Sequence, residues 1–310
     1  MKTSSLCLIA SLLGLLWLSQ GCTRRVEQEL PEFEPQLALN AVVALGDPWR
    51  VEFGNLQPVG QPGSDPLPEG VVQVQPLGAP PVSLTRDSLD ENRFNENLYL
   101  SETLRVEPGP TYQVSASHPG YDSVRAMVSA PSPPLEVTLV YLDSAQLDRN
   151  GEPQPLVRVS WRDPAPEEEN YFMVYSLLVD TVFGVQTYSA LLSEDEAATF
   201  RGSLQRPEDE EIGRSFSPTF LTDERFEDGR YTLEMDVIIP PFPLSQHQFL
   251  DVAVATVSED FYEFQRVYQL QGSFENDPFA EPAPILSNVE GGQGLVATYA
   301  PVWSRVALQP

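Results

Sequence analysis

Apolar and polar positions alternate along most of the chain after residue 35, and this pattern predicts short β-strands. In the clearest run, residues 36–43, the side chains of Leu37, Leu39, Ala41 and Val43 share one face of an extended segment. Proline and glycine turns separate the runs that follow, which are WRVEF (49–53), VVQVQPL (71–77), LYLSETLRVE (98–107), TYQVSASHPG (111–120) and DSVRAMVSA (122–130). No helical period of useful length interrupts them, so this part of the chain is expected to be all β.

The size of this segment predicts a first domain over residues 36–133. About seven short strands in roughly a hundred residues are typical of an immunoglobulin-like or transthyretin-like β-sandwich. Pro131, Pro133 and Pro134 would close the domain as a short stiff linker. The 30 prolines of the whole chain suit strand edges and turns, and they disfavour long helices.

Residues 134–310 are expected to form a second β-sandwich. Trp161 lies in an alternating strand, Asp163-Pro164 and an acidic loop come next, and the strand after them carries Tyr171 and Tyr175. This order resembles a fibronectin type III domain, which implies that Trp161 packs in its core. Residues 191–226 are less regular and are interpreted as an insertion. Strands resume at RYTLEMDVII (230–239) and FLDVAVATV (249–257).

One amphipathic helix is predicted over residues 259–271. Ser258 can cap its N-terminus, and Glu259 and Asp260 favour its first turn. Gly272 is placed to end it. Its predicted apolar face consists of Phe261, Phe264, Val267 or Tyr268, and Gln271.

The N-terminal segment predicts export and a lipid anchor. A positive start at Lys2 precedes an apolar run over residues 6–18, which is too short and wrongly flanked for a lasting membrane helix. Gly21 and Cys22 then resemble the bacterial lipoprotein processing box, which implies that residues 1–21 are removed and that Cys22 is lipidated. Residues 22–35 would be a polar tether. Simple secretion with a spare cysteine is the alternative.

Charge and residue usage exclude several functions. The net charge of −27 argues against nucleic acid and anionic membrane surfaces as partners, because both are polyanions. Capture of cations or basic partners is compatible with it. Lys2 is the only lysine, so the exported body has no Schiff-base lysine, P-loop lysine or Ser-Lys dyad. With its two cysteines at Cys7 and Cys22, the body also has no disulfide.

The residues that could carry chemistry form no recognisable motif. His118 and His247 are interpreted as exposed loop histidines, since no H-x-x-x-H or cysteine pair accompanies them. No G-x-S-x-G elbow is present. Residues 148–152 (DRNGE) faintly resemble a calcium loop, but Asn150-Gly151 is also a strong hairpin turn, and the turn is favoured. No catalytic, metal-binding or cofactor-binding residue is therefore predicted.

Trp49, Trp161 and Trp303 raise the question of sugar stacking, and Trp161 is expected in the core. Trp49 follows Asp47-Pro48, so it is placed in a loop and is the better candidate for contact with a ligand or partner. Trp303 is expected to follow the final strand and to pack against the second domain.

The C-terminal region carries a family resemblance. After an aromatic helix come Asp277-Pro278-Phe279, Ser287-Asn288-Val289, Gly291-Gly292 and Gly294. This series, with Pro119-Gly120-Tyr121 and the lipidation signal, resembles the lipoprotein family known as domain of unknown function 4249. The resemblance implies a two-domain β-rich envelope lipoprotein that accompanies outer-membrane TonB-dependent transporters, and it implies no activity. From the residues themselves, the three glycines predict a tight structural turn with positive φ or close backbone approach.

The sequence thus predicts a mainly β protein with two β-sandwich domains, immunoglobulin-like or transthyretin-like and then fibronectin type III-like, and one C-terminal amphipathic helix. The leading functional hypothesis is a non-enzymatic lipoprotein of the cell envelope that serves a TonB-dependent transporter of the outer membrane. A structural or adhesive surface protein is the second hypothesis, and a hydrolase with a dispersed site is the third.

Overall fold

A computed structural model describes residues 35–56, 67–87, 97–147, 153–180, 186–187, 191–192, 200–201, 218–237, 248–274 and 286–308. Strands dominate these residues, so the mainly β prediction is confirmed. The strands are β1 (Leu37–Ala44), β2 (Pro48–Asn55), β3 (Val71–Pro76), β4 (Val82–Ser83), β5 (Thr85–Arg86), β6 (Leu98–Arg105), β7 (Thr111–Ser117), β8 (Val124–Ser129), β9 (Leu135–Leu147), β10 (Pro153–Arg162), β11 (Tyr171–Asp180), β12 (Gln186–Thr187), β13 (Leu191–Leu192), β14 (Phe200–Arg201), β15 (Thr219–Thr222), β16 (Arg230–Val237), β17 (Gln248–Val257) and β18 (Val296–Ala307). The helix α1 spans Glu259–Phe274.

The described strands form one large sheet and two smaller ones. The large sheet has ten strands in the order β14-β15-β11-β17-β18-β1-β2-β6-β5, with β12 beside β11. The smaller sheets have four strands each, in the orders β4-β3-β7-β8 and β13-β16-β10-β9. The predicted boundary at residues 133 and 134 falls between β8 and β9, and strands from both sides of it share the large sheet. The two predicted sandwiches therefore share one continuous sheet. Their division into separate domains stays a prediction.

The N-terminal core lies between the β1-β2-β6 part of the large sheet and the β3-β7-β8 sheet. Alternate residues of β1 supply it, because the side chains of Leu37, Leu39, Ala41 and Val43 are all buried, as the alternation predicts. The strands of the facing sheet alternate in the same way, and their inward side chains complete this core. Two sheets that bury alternate residues against each other are a β-sandwich.

The C-terminal core lies between the β11-β17-β18 part of the large sheet and the β16-β10-β9 sheet. Trp161 at its centre is 1% exposed, which confirms the predicted core position. Its ring lies 5.8 Å from the ring of Phe172, 5.7 Å from that of Phe226 and 5.4 Å from that of Tyr231, measured between centroids. Burying such an aromatic group contributes large apolar area and favourable edge contacts.

Helix α1 covers the opposite face of the large sheet and forms a helix-side core with it. The side chains of Phe261, Tyr262 and Gln265 are buried, whereas Tyr268 is exposed, so the predicted apolar face is shifted towards the helix start. Ser258 lies at the N-cap position, because its carbonyl accepts from the N–H of Tyr262 at 3.1 Å. Its Oγ is buried and makes no hydrogen bond within the described residues, so its side chain does not supply the predicted cap. The helix also continues through Gly272 to Phe274.

The region expected to be an insertion contains a core strand. In β15, the side chains of Phe220 and Leu221 are fully buried on opposite faces of the large sheet, one in each of the two neighbouring cores. The pairing of β15 with β11 joins Phe172 to Leu221 and Met173 to Phe220. The interpretation of residues 191–226 as insertion is therefore wrong for residues 219–222, whose short apolar run TFLT was too brief to show a period.

Strand β18 connects all three cores because it is long and alternates. Val296 lies in the N-terminal core and Val306 lies against the C-terminal core, while Tyr299 points to the helix side. Even-numbered and odd-numbered side chains of a strand point to opposite faces. Both small sheets therefore lie on one face of the large sheet, and α1 lies on the other.

Candidate functional site

Several predictions concern segments outside the described residues. These are the export signal over residues 1–21, the lipidation of Cys22, the tether over residues 22–35 except for its last residue, the hairpin turn at residues 148–152, the loop position of His247 and the motif over residues 277–279. Within the described part of the chain, no helix is long and apolar enough to cross a membrane.

The predicted surface contact at Trp49 is wrong. Trp49 lies in β2, which begins at Pro48, and its side chain is 0% exposed. Its ring lies 5.2 Å from the ring of Tyr112 in the facing sheet. The residues Trp49, Val51 and Phe53 alternate, and this alternation turns all three inward. Trp49 is therefore a core residue, and no ligand can reach it in this structure.

Of the tryptophans in the described part of the chain, Trp303 is the one that reaches solvent. It lies within β18 rather than after it, and its side chain is 43% exposed. Its ring meets the ring of Tyr175 edge-on, with centroids 5.1 Å apart and an interplanar angle of 81°. On the same face, Arg305 Nε and an Nη donate to the two carboxylate oxygens of Asp251 at 2.6 and 2.7 Å. Trp303 thus lies on a strand of the large sheet, beside the bidentate ion pair of Arg305 and Asp251.

His118 is half-buried rather than exposed. It lies in the turn between β7 and β8, where its ring contacts the ring of Tyr121 at 5.6 Å between centroids. Its Nδ1 atom is buried and makes no hydrogen bond. Among the described residues, no three histidine, cysteine, aspartate or glutamate side chains are grouped so that they could hold a metal ion. The contacts of His118 within the described residues are those of a packed turn residue.

A densely bonded site is the loop over residues 286–295, which we call the junction loop. Ser287 Oγ accepts hydrogen bonds from the backbone N–H of Val289 at 3.2 Å and of Gly294 at 3.1 Å. The side-chain amide of Asn288 makes two hydrogen bonds to the backbone of Val296. Its Oδ1 accepts from the Val296 N–H at 2.9 Å, and its Nδ2 donates to the Val296 carbonyl at 2.8 Å. These bonds close the loop on itself and fix its entry into β18.

The junction loop also joins distant parts of the chain. Asn288 Nδ2 lies 2.9 Å from Asp260 Oδ2, which links the loop to the first turn of α1. Glu290 pairs with Arg125 of β8 through both backbone bonds and a side-chain ion pair at 2.6 Å. Gln293 N–H donates to the carbonyl of Leu37 at 3.0 Å, which places the loop against β1. A helix and two strands therefore meet at this loop.

Glycine is required at the junction loop for the reasons that the sequence predicted. Gly294 has a φ of +131°, and a Cβ atom there would lie 2.1 Å from the carbonyl oxygen of Leu39. A Cβ atom at Gly292 would lie 2.4 Å from the carbonyl oxygen of Leu37. Any side chain at either position would push β1 away. The loop is thus a structural turn, as predicted, and its partner is β1.

A buried carboxylate organises the acidic loop that follows Trp161. Asp163 is 2% exposed, and its Oδ1 accepts from the N–H of Ala165 at 2.8 Å and from Asn170 Nδ2 at 3.2 Å. Asn170 N–H donates in turn to Asp223 Oδ2 at 3.0 Å. Burial raises the pKa of Asp163 and the neighbouring carboxylate of Asp223 raises it further, against the bonds from Ala165 and Asn170.

This raised pKa predicts a pH effect on stability. At pH values below the ordinary pKa of aspartate, Asp163 is protonated in both the folded and the unfolded chain. As the pH rises from there towards the raised pKa of the folded chain, only the folded chain keeps this proton. The free energy of unfolding of the wild type should therefore fall with rising pH in that window. Asp163→Asn can keep the bond from Ala165 and carries no charge, so it should gain stability relative to the wild type as the pH rises.

Urea unfolding of the two proteins between about pH 4 and pH 7 measures this difference. Asp163→Ala is the control: it also lacks the charge but removes the acceptor, so it should be about 1–3 kcal/mol less stable than Asp163→Asn at every pH. Parallel stability curves for the wild type and Asp163→Asn would contradict the assignment.

The surface around the start of α1 is acidic. Burial raises the pKa of the Tyr171 hydroxyl, and a hydrogen bond from it to Glu169 together with the charges of Glu259 and Glu263 raises it further. The Tyr171 ring packs against the ring of Tyr262 with centroids 4.7 Å apart. An anionic partner would be repelled here.

Three solved structures show some likeness to this chain at low sequence identity. A DUF4785 family protein from Legionella pneumophila is 13% identical over 71% of this chain, with a TM-score of 0.23, and the chain spans about half of that protein, 52%. The FN1–FN3 domains of chicken CNTN1 are 9% identical over 89% of this chain and 68% of theirs, with a TM-score of 0.26. A Salmonella alpha-2-macroglobulin variant is 13% identical over 90% of this chain and 15% of its own, with a TM-score of 0.25.

The sequence comparisons identify the family. A search of curated proteins finds none with significant similarity to this chain. The family described as "Domain of unknown function (DUF4249)" matches residues 23–304, which is most of the chain and includes β1, α1, the junction loop and most of β18. The chain therefore belongs to the DUF4249 family.

Proposed function

We propose that the protein is a non-enzymatic lipoprotein of the outer membrane, held there by lipid on Cys22, and that it serves a TonB-dependent transporter as an accessory or ligand-capturing subunit. One observation supports the proposed lipid anchor. Gly21-Cys22 follows an apolar run of export-signal length and precedes a polar, proline-containing segment. Each buried methylene of an acyl chain contributes about 0.8 kcal/mol, and two or more chains anchor a protein stably.

The partner is inferred from the family and from surface charge. The resemblance to the DUF4249 family implies association with TonB-dependent transporters, which are outer-membrane proteins. With a net charge of −27 and an acidic surface around Tyr171, the body would be repelled by anionic lipid and by nucleic acid. A protein partner is therefore favoured over a second membrane contact or a polyanion.

The contact with a protein partner has its best support at Trp303. This side chain is an exposed aromatic group on a rigid strand, beside the Asp251–Arg305 ion pair. Exposed tryptophan with fixed polar neighbours is typical of protein interaction surfaces, in which tryptophan and arginine are enriched. Trp303 takes the place that the sequence assigned to Trp49.

Two variants of Cys22 test the anchor. Cys22→Ala should abolish incorporation of labelled fatty acid, and its uncleaved signal can still hold the protein in membranes. A second form, in which an ordinary cleavable secretory signal precedes residue 22 and alanine replaces the cysteine, should appear in the soluble envelope fraction. Cys7→Ala is the matched control and should stay lipidated and membrane-bound. A mature alanine form that still fractionates with membranes would overturn the lipid anchor.

A further inference from the structure

Strand β1 lies in the interior of the large sheet, although it is the first strand of the described chain. It is bordered by β2 on one side and by β18 on the other. Within the described residues, a pull from the N-terminal side first loads the bond from the N–H of Leu56 to the carbonyl of Gln36, at 2.9 Å, and then β1, which begins at Leu37. The bonds of β1 to its neighbours therefore decide how the fold responds to that pull.

The pairing of β1 with β18 is parallel. Ala41 is opposite Val296 and Ala44 is opposite Tyr299. When β1 is pulled from its N-terminal end and β18 from its C-terminal end, two parallel strands slide along each other. Sliding loads all the hydrogen bonds of the pair together, whereas peeling loads them one after another.

The junction loop extends this parallel pairing towards the N-terminus of β1. Gln293 accepts from Leu39 N–H at 3.0 Å and donates to Leu37 C=O at 3.0 Å. Leu295 accepts from Ala41 N–H at 2.8 Å. In addition, Leu295 N–H donates to Asn40 Oδ1 at 3.1 Å. The bonded length of β1 thus begins at its first residue.

Side-chain burial adds to this resistance. Leu37 is 1% exposed and Leu39 is 0% exposed, so withdrawing β1 along its axis must drag both side chains out of the N-terminal core. Gly292 and Gly294 bring the junction loop so close to β1 that a Cβ atom would not fit. The strand is therefore enclosed by backbone on the β18 side and by packed side chains in the core.

We infer that β1, β18 and the junction loop form a mechanical clamp that protects the fold against tension applied through the N-terminal segment. A protein attached to a membrane at one end and to a partner at the other is exposed to such tension. This use in the cell rests on the proposed anchor at Cys22, whereas the mechanical resistance belongs to the fold alone.

Single-molecule force spectroscopy on the chain from Cys22 onward tests the clamp. This form has Cys22 as its only thiol, so one handle is attached there and the other at the C-terminus. For the peeling direction, the N-terminal handle moves to Asp47 in a Cys22→Ser/Asp47→Cys variant. Asp47 is exposed in the turn after β1, so β1 is then stripped from its Ala44 end. The expected mean unfolding force is at least about twofold higher for pulling from Cys22 than from residue 47.

A mild variant shows whether the junction loop takes part. Asn40 is exposed, so Asn40→Ala should fold and lose the bond to Leu295. It should lower the force for pulling from Cys22 and leave the force for pulling from residue 47 unchanged. Equal forces in the two directions, or an equal loss in both with Asn40→Ala, would overturn the clamp. Because no lipid is present in these measurements, failure of the anchor would not alter them.

Discussion

Replacing Gly294 by alanine is expected to lower the free energy of unfolding by about 3–5 kcal/mol. Two costs add at this position. The φ of +131° is strained for any residue with a side chain, and the new Cβ atom would lie 2.1 Å from the carbonyl oxygen of Leu39. That oxygen belongs to the backbone of β1, so relief of the clash must move a strand between two cores. Urea unfolding followed by circular dichroism measures the loss.

Gly46 provides the matched control. It has a φ of +87° in the turn between β1 and β2, but nothing lies within 4 Å of a Cβ atom built there. Gly46→Ala should therefore show the conformational cost alone, about 1–2 kcal/mol. Equal losses for the two variants would mean that the close approach of the junction loop to β1 contributes nothing.

Replacing Trp49 by alanine is expected to cost about 3–5 kcal/mol of stability, because a fully buried aromatic side chain leaves a cavity when it is truncated. Its indole fills the N-terminal core and packs against Tyr112 across the sandwich. Neighbouring strands hold the two sheets apart, so the space can close only in part. Urea unfolding, monitored by circular dichroism because a fluorophore is lost, measures this effect.

Trp303→Ala is the control for Trp49→Ala. The side chain of Trp303 is already 43% exposed, so its loss should cost about 1–2 kcal/mol, mostly from the edge contact with Tyr175. If Trp303 contacts a partner, this variant should also weaken that complex. A stable Trp49→Ala protein with impaired partner binding would restore the sequence interpretation of Trp49 as the surface contact.

The strand content of the fold could be predicted from the chain because burial follows alternation. The spacing of Leu37, Leu39, Ala41 and Val43 places them on one face, and the structure buries all four. The alternating strand around Trp161 predicts a core position, as does its resemblance to fibronectin type III domains, and Trp161 is buried. Such assignments need only local information.

Pairing between distant strands could not be predicted in this way. The bond from Leu295 to Asn40 joins residues 255 positions apart, and no local period indicates that β18 pairs with β1. Parallel strands are not joined by a tight hairpin turn, so the sequence contains no short turn motif that would indicate their pairing. The glycines of the junction loop indicated a close backbone approach, but their spacing does not identify the approaching strand.

Local residue preferences misled at Trp49 and were only half right at Ser258. Asp47-Pro48 is a strong turn signal, and in the structure the turn ends at Pro48, which begins β2, so Trp49 lies in a strand. Ser258 has the residue type of a helix cap and lies at the N-cap position, but its Oγ makes no hydrogen bond within the described residues. Residue type indicates where an element begins and does not determine which contacts the side chain makes.

The proposed role is tested most directly by isolating the protein from the outer membrane of its native host in mild detergent and quantifying what accompanies it. The wild-type chain and a Trp303→Ala chain would be purified in parallel, with mass spectrometry of the bound proteins. The account predicts a TonB-dependent β-barrel transporter at near-stoichiometric amount with the wild type. Recovery of the lipidated chain without any such transporter would contradict the accessory role and would favour a structural or adhesive surface protein.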